Sequence, residues 1–416
     1  GASRMYPETD IPSISVLPEE IKLARENIPK SWDDSIAEIQ KKYNLNSQLS
    51  EQIFDSEYME LFEKICENKK NSPNFVASIL CSTITNLQRK GFDALLLKPE
   101  LIAELFELLA DDKIGVVQKV APNVYFHQGD LDKGHCNQGW IVFKDYVVVV
   151  DGNFPSGVEV VLPKIKATTD KPIKFVVDTH HHGDHAYGNM AWFEIGAIPV
   201  ASNGGLEEMK KYETGFFGGH PLGRWEWAAK SRADVRNSKL LPPQITFKDK
   251  MVFDDGQMRA ELLYLGNAHT HGDVFVWLPK ERILFSGDAC VNGPYNYMGD
   301  GNSLDWPKTL DAARALKPMT ICPGHGAMAN GSLIDAQKAY FITLQNQVRP
   351  LVKREASLEQ LSRQTEAIRA KVLKNKKISR YVGNKFADQL EKIYGDFTGQ
   401  SLGRLNVVRE SQKTDK

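Results

Sequence analysis

Residues 175–185 read FVVDTHHHGDH, an apolar run that carries His180, His182, Asp184 and His185 onto the loop that follows it. Imidazole and carboxylate are the side chains that bind borderline cations such as zinc. In an extended segment alternate residues point the same way, so His180 and His182 can share one cation. Asp184 and His185, past a turn at Gly183, are then placed to face a second. Three further candidates each follow a strand-like run: His269 after LLYLGNA, Asp288 after ILFSG and His325 after MTICPG. One His or Asp after a strand is usually structural; the repetition points to a site for two metals. The chemistry implied is hydrolysis. A bound cation lowers the pKa of water from about 15.7 to about 7, so hydroxide forms near neutral pH. That hydroxide can attack an ester, thioester, lactone, amide or phosphoester while a cation polarises the oxygen. Asp184 or Asp288 can shuttle the proton. Two zinc ions per chain are the first expectation, and iron or manganese also suits a carboxylate-containing site.

Other residues near these runs carry weaker signals. His181 points away from its two neighbours and is read as a non-ligand, whereas His271 shares a side with His269 in an extended segment. His220 lies in a long segment, 213–243, with Trp225 and Trp227; it either covers the cleft or packs as a helical insertion. Cys290 follows Asp288 by two residues and is not assigned to the metals. Thr270 and Asp151 are placed either to orient imidazoles or to make ordinary strand-end hydrogen bonds. Tyr295, Asn296 and Tyr297, in the segment 292–305 after Asp288, are expected to border the pocket.

The elements that must position these groups are legible in the spacing. Residues 18–112 read as helices: Ser72-Pro73 resembles a cap followed by proline at the first helical position, and Val76, Ile79, Leu80, Ile84 and Leu87 recur at helical intervals. A second amphipathic stretch holds Leu101, Ile102, Leu105, Phe106, Leu108 and Leu109. After Gly115 short β-rich runs alternate with helical stretches at 156–167, 204–212, 304–316 and 331–346, the pattern of a layered α/β domain. From about 350 the chain reads as helix again, ending in a polar stretch at 410–416. The expected division is therefore 1–113, 116–345 and 346–416.

Composition narrows the functional classes. The chain has 416 residues, 42% hydrophobic and 25% charged, with 52 Lys and Arg against 53 Asp and Glu. This is globular composition with no field that would capture nucleic acid or an acidic membrane. The tail beyond residue 350 is mildly basic, with 15 Lys and Arg against 8 Asp and Glu, and a solvated helical face accounts for that. No apolar run approaches the roughly 18–20 residues that span a bilayer, and no secretory signal is read at the N-terminus. Five cysteines without paired spacing fit a reducing compartment, so a cytoplasmic location is expected.

The motifs H-x-H-x-D-H (180–185), G-x-x-H-T-x-G (266–272), L-F-x-G-D (284–288) and P-G-H-G (323–326) stand in the order found in metallo-β-lactamase-fold hydrolases, and residues 116–345 resemble that superfamily. The resemblance implies an αββα sandwich with the metals at one edge between two sheets. It also implies that His180, His182 and His269 hold one metal, that Asp184, His185 and His325 hold the other, and that Asp288 bridges them. Asp288 stands where zinc β-lactamases have cysteine, and Val291 where many carry lysine. The pattern is thus closer to glyoxalase-II-like hydrolases, with a small-molecule substrate, than to antibiotic hydrolysis. β-Lactam or phosphodiester cleavage remains an alternative on the same site. His182 in place of glutamate disfavours the redox chemistry of diiron relatives.

Residues 1–113 resemble a different family. The stretches RMYPETDIP (4–12), YMELFE (58–63) and SPNFVAS (72–78) are similar to the E-type component of the archaeal glutamyl-tRNA(Gln) amidotransferase, at its helical and tail regions. The resemblance implies contact with tRNA, and a tRNA-associated binding module is the alternative function. The catalytic part of that component is absent, so complete amidotransferase activity is not expected. Packing or homo-oligomer formation is the simpler role for a helical appendage.

Overall fold

The computed structural model describes residues 17–26, 31–67, 73–89, 91, 98–110, 114–210, 212 and 222–400. The chain divides into two compact units, Gly1–Asp111 and Asp112–Lys416. The motif at 4–12, Ser72, His220 and the polar end at 410–416 lie outside the described residues.

The first unit is helical. It comprises α1 (Pro18–Glu26), α2 (Trp32–Tyr43), α3 (Ser47–Phe54), α4 (Met59–Glu67), α5 (Pro73–Ser78), α6 (Ile84–Arg89) and α7 (Pro99–Ala110). Local capping sets its boundaries: the Ser31 side chain accepts from Asp34 N before α2, and the Asn46 side chain accepts from Leu49 N before α3. Between α5 and α6 a π-helical turn, Ile79–Thr83, inserts extra backbone without breaking the helix. Val76, Leu80 and Ile84 all remain inside, with Ile53, Phe62, Ile102 and Phe106. On α7 the apolar stretch splits, since Ile102 and Phe106 are buried while Leu101 and Leu105 are exposed.

The second unit is built on two sheets. The first has seven strands in sequential order: β1 (Val117–Ala121), β2 (Val124–His127), β3 (Gln138–Val142), β4 (Val147–Val150), β5 (Ile173–Val177), β6 (Ile198–Ser202) and β7 (Ile245–Phe247). Strands β1 to β4 form an antiparallel meander, and β4 to β7 run parallel. Parallel neighbours need crossovers, which are supplied by α8 (Pro155–Lys166) and, after β5, by α9 (Gly183–Ala186) and α10 (Asn189–Glu194). After β6 the chain forms α11 (Asn203–Lys210), α12 (Arg224–Ser231) and α13 (Ala233–Arg236). The second sheet contains β8 (Lys250–Asp254), β9 (Arg259–Leu263), β10 (Phe275–Leu278), β11 (Ile283–Gly287) and β12 (Thr320–Pro323), ordered β12-β11-β10-β9-β8.

Strand β4, four consecutive valines, shows how the layers are made. Its side chains alternate: Val148 and Val150 enter the core between the sheets with Phe126, Leu262, Val276 and Phe285. Val147 and Val149 face the opposite way, onto Val158, Val161 and Trp192 of α8 and α10. The outer face of the second sheet is covered by α14 (Trp306–Ala315) and α15 (Ser332–Lys353). The helices α16 (Leu358–Leu373) and α17 (Phe386–Thr398) then bury Leu361, Ile368, Val372, Phe386, Leu390 and Ile393 in that same cluster. The result is an αββα sandwich with helical regions at both ends of the chain. Among the described residues no helix is long and apolar enough to cross a membrane.

Candidate metal centre

Strands from both sheets end at one edge, and the candidate donors sit on those ends. Asp151 follows β4, residues 178–182 follow β5, Asp288 follows β11, and His325 follows β12. The turn expected at Gly183 is the short helix α9, with His182 extended at its N-terminus, φ −64° and ψ 153°. All seven side chains come together. His180, His182 and His269 form one group whose donor atoms lie within 4.8 Å of one another, and Asp184, His185 and His325 form a second. Asp288 lies between them: its Oδ2 is 3.6 Å from His269 Nε2 and 3.4 Å from His325 Nε2, and its Oδ1 is 3.5 Å from His185 Nε2.

The outward nitrogens of the first group decide what faces inward. His269 Nδ1 lies 2.8 Å from the Tyr297 carbonyl, which can only accept, so Nδ1 carries the proton. His182 Nε2 lies 2.9 Å from Asp300 Oδ2, a carboxylate that the Arg224 guanidinium keeps ionised against the effect of burial. Thr179 Oγ1 donates to Asp151 Oδ1 at 2.7 Å and so accepts from His180 Nδ1 at 3.2 Å. With these protons placed outward, the inner nitrogens of His180 and His269 turn toward His182 Nδ1. His182 Nδ1 is 3.1 Å from His180 Nε2 and 2.9 Å from His269 Nε2. Burial, reinforced by the neighbouring rings, holds His180 well below its ordinary pKa and pushes His269 down to about 3. Three ring nitrogens converging at this spacing suit a cation between them, so the residues fit a metal.

The second group fits by a different observation. His185 Nε2 and Asp288 Oδ1 are buried without a hydrogen-bond partner among the described residues, which is costly unless an ion completes them. Burial works against protonation of His325, yet Asp288 and Asp184 together push it up to about 9. His185 is likewise held high, against its burial, by Cys136, Asp151, Asp184 and Asp288. Asp184 is drawn down to about 2 by His185 and His325 despite its own burial. This half of the centre attracts positive charge, while in the imidazole half burial favours the neutral rings of His180 and His269.

Close backbone approach keeps the geometry tight. At Gly287, φ +48°, a Cβ would fall 2.3 Å from Thr179 Oγ1, and at Gly324 one would fall 2.0 Å from Asp288 Oδ1. Asp151 itself adopts φ +71°, a conformation that costs a non-glycine residue energy and recurs at functional sites. Its two oxygens serve both groups: Oδ1 receives Thr179, behind His180, and Oδ2 lies 3.1 Å from His185 Nδ1.

The weaker candidates take up distinct places around this centre. His181 is buried on the far side of its neighbours, 3.9 Å from Glu208, and His271 is exposed to solvent. Thr270 turns to Asp273 and not to an imidazole: its N and Oγ1 donate at 2.9 and 2.8 Å. Burial pushes the Cys290 thiol up to about 12, and the residue belongs to the hydrophobic core. Trp227, Tyr295 and Tyr297 line a cavity of about 570 Å³ that opens onto the donors. Trp225 packs on Tyr187 instead, and Asn296 is buried, its carbonyl accepting from Gln389 Nε2. Sequence reasoning missed Asp300, Arg224 and Thr179, each within a hydrogen bond or two of a donor, and the C-terminal residues Asn384 and Lys385 at the cavity wall.

Residues 131–325 match the family described as the metallo-beta-lactamase superfamily. The metallo-beta-lactamase type 2 of Bacteroides fragilis is 33% identical over 118 residues, 27% of this chain and 47% of that protein. The crystal structure of DIM-1 metallo-beta-lactamase aligns with a TM-score of 0.44 at 21% identity, covering 55% of this chain and 97% of that one. The N-terminal part is similar to the E-type component of glutamyl-tRNA(Gln) amidotransferase from Methanococcus maripaludis (strain S2), 36% identical over 125 residues. That stretch is 30% of this chain and 20% of the relative, so the chain spans about a fifth of the length of such proteins. Sandwich, donor set and family match coincide in one stretch, and residues 131–325, just under half of the chain, are similar to the metallo-beta-lactamase superfamily.

Proposed function

We propose that the second unit is a dinuclear zinc hydrolase acting on an ester, thioester, lactone or amide-type bond in a small molecule. His180, His182 and His269 would hold one ion, Asp184, His185 and His325 the other, and Asp288 would contact both. Two zinc ions there would ionise water near neutral pH and polarise the bond under attack. The observation that carries the reading is the convergence of His180 Nε2 and His269 Nε2 to within 3.1 Å of His182 Nδ1, beside the orphaned His185 Nε2.

The chain's own groups divide the remaining work. Asp184 is the more exposed carboxylate, its side chain 26% accessible against 7% for Asp288, and it borders the cavity. It is placed to take the proton released on attack and return it to the leaving group. Asp288, enclosed by Gly324, keeps the two donor groups in register and is the second proton carrier.

The test is metal analysis joined to a substrate panel. Purified protein is expected to hold about two zincs per chain, and a His182→Ala/His269→Ala double variant to lose them. Ester, thioester, lactone, β-lactam and phosphodiester substrates are compared with Asp288→Ala as the blank; no turnover above that blank removes the hydrolase reading. The 36% identity of the N-terminal stretch to an amidotransferase component supports a second reading, a tRNA-associated role for the first unit. Retardation of tRNA(Gln) by metal-free protein would favour it. Free cysteines at all five positions suit the cytoplasm as the location.

A further inference from the structure

Between Glu366 and Asp388 the chain carries seven cationic side chains and no carboxylate, a local run that the even charge balance of the whole protein conceals. The expected solvated helical face accounts for α16, where Arg363 pairs with Glu359 at 2.6 Å and Arg369 lies 4.0 Å from Glu366. Farther along, Arg380 donates to Asn292 and Lys385 is paired with Asp388. Four lysines are left: Lys371 in the last turn of α16, and Lys374, Lys376 and Lys377 in the turn that follows. All four are exposed, and among the described residues none of their ammonium groups has an ion pair or hydrogen bond. We propose that this turn, residues 371–377, is a docking surface for the phosphate backbone of a double-helical nucleic acid. The inference does not depend on the hydrolase reading.

The backbone that carries these charges is anchored. Val372 and Ile378 are buried at its two ends. Asn375 Oδ1 accepts from Lys377 N at 3.1 Å, and the Asn375 carbonyl accepts from Ile378 N at 3.0 Å and Ser379 N at 2.9 Å. Arg380 Nη1, donating to Asn292 Oδ1 at 3.1 Å, ties the following residues to the second unit. Cations at a helix C-terminus complement its dipole, which accounts for Lys371 and Lys374 but not for Lys376 and Lys377 beyond the helix. The kind of side chain selects the partner. Lysine is a compact point charge suited to phosphate, whereas the arginine fork matches carboxylates, and here the arginines are engaged within the protein while the lysines face solvent. Tyr381 and Phe386, the aromatic residues of the run, are buried, so unpaired bases find no ring to stack on, as single-strand binding requires. Leu373, 48% accessible, is the one large hydrophobic side chain exposed in the turn, and one side chain does not make the apolar face with which an interfacial helix enters a membrane. The contact that fits is a sequence-independent one to phosphates, which positions a protein on a duplex without reading its bases.

The experiment measures binding of the full-length protein to a fluorescent RNA duplex and to the DNA duplex of the same sequence, by anisotropy over a series of salt concentrations. Wild type is compared with the quadruple variant Lys371→Gln/Lys374→Gln/Lys376→Gln/Lys377→Gln, whose melting midpoint and zinc content are expected to be unchanged because the four side chains touch nothing inside. The variant is expected to bind about tenfold more weakly, and its plot of log affinity against log salt to be shallower by about 3–4, the counterions released at four phosphates. The matching Lys→Arg quadruple variant is expected to keep both the affinity and the slope. Weaker binding of either duplex by the Gln variant supports the surface, and the duplex held more tightly by wild type names its source. Affinity and salt slope that are the same in wild type and the Gln variant overturn the inference. So does tighter, lysine-dependent binding of a single strand, of poly-glutamate or of phosphatidylserine vesicles, each of which assigns the turn to a different partner.

Discussion

At the scale of residues, the donors and their supports were unequally legible. His180, His182, Asp184 and His185 lie within six positions, and His269, Asp288 and His325 repeat the same arrangement of apolar strand followed by ligand. Both signals are local. Asp300 is 118 positions from His182, and Arg224 is 76 from Asp300, so their hydrogen bonds have no trace in spacing. Asp300 accepts from His182 Nε2 and thereby turns Nδ1 toward His180 and His269. Replacing Asp300 by Ala is expected to weaken zinc binding by about 10–100-fold, measured by competition with a chromophoric chelator. Asp300→Asn, which keeps an acceptor and loses the charge, is expected to fall between that variant and wild type. Equal zinc affinity in all three proteins would show that the pair with Arg224 does not orient the ring.

Among elements, short β-rich runs revealed β4 and β5, and the helical stretches at 156–167 and 304–316 correspond to α8 and α14, because each has one face or both against a core. The π-helical turn at Ile79–Thr83 and the split face of α7 were hidden, since both depend on which neighbours pack against the helix. Helix α17 shows what composition cannot reveal: an amphipathic helix can also carry a buried polar contact to a distant loop. Gln389 is buried, accepts from the Tyr340 hydroxyl and donates to the Asn296 carbonyl, one residue before the Tyr297 carbonyl that holds His269. Gln389→Leu leaves two buried groups unsatisfied, and a loss of about 1–3 kcal/mol per orphaned group sets the scale. The expected result is a lower midpoint in urea with weaker zinc retention. Unaltered zinc retention at reduced stability would confine the role of Gln389 to packing.

For the molecule as a whole, the sandwich was legible from the order of runs, whereas the attachment of the C-terminal helices was not. Six large apolar residues of α16 and α17 enter the cluster that also holds Phe275, Trp277 and Trp306. Each such burial contributes roughly 1.5–3 kcal/mol, against a net stability on the order of 5–15 kcal/mol. A chain stopped after residue 345 is therefore expected to fail as a cooperative fold, and one comprising 112–416 to melt cooperatively and take up zinc. Cooperative melting of the shorter chain would contradict that accounting. The segment 292–303 is gripped from two directions. On one side it presents Tyr297 and Asp300 to the imidazoles, and on the other it receives Arg380, Gln389 and Asp396 from the C-terminal region. A substitution in that region can therefore shift the supports of His182 and His269 from a stretch that lies beyond the matched residues 131–325 and supplies none of the converging donors.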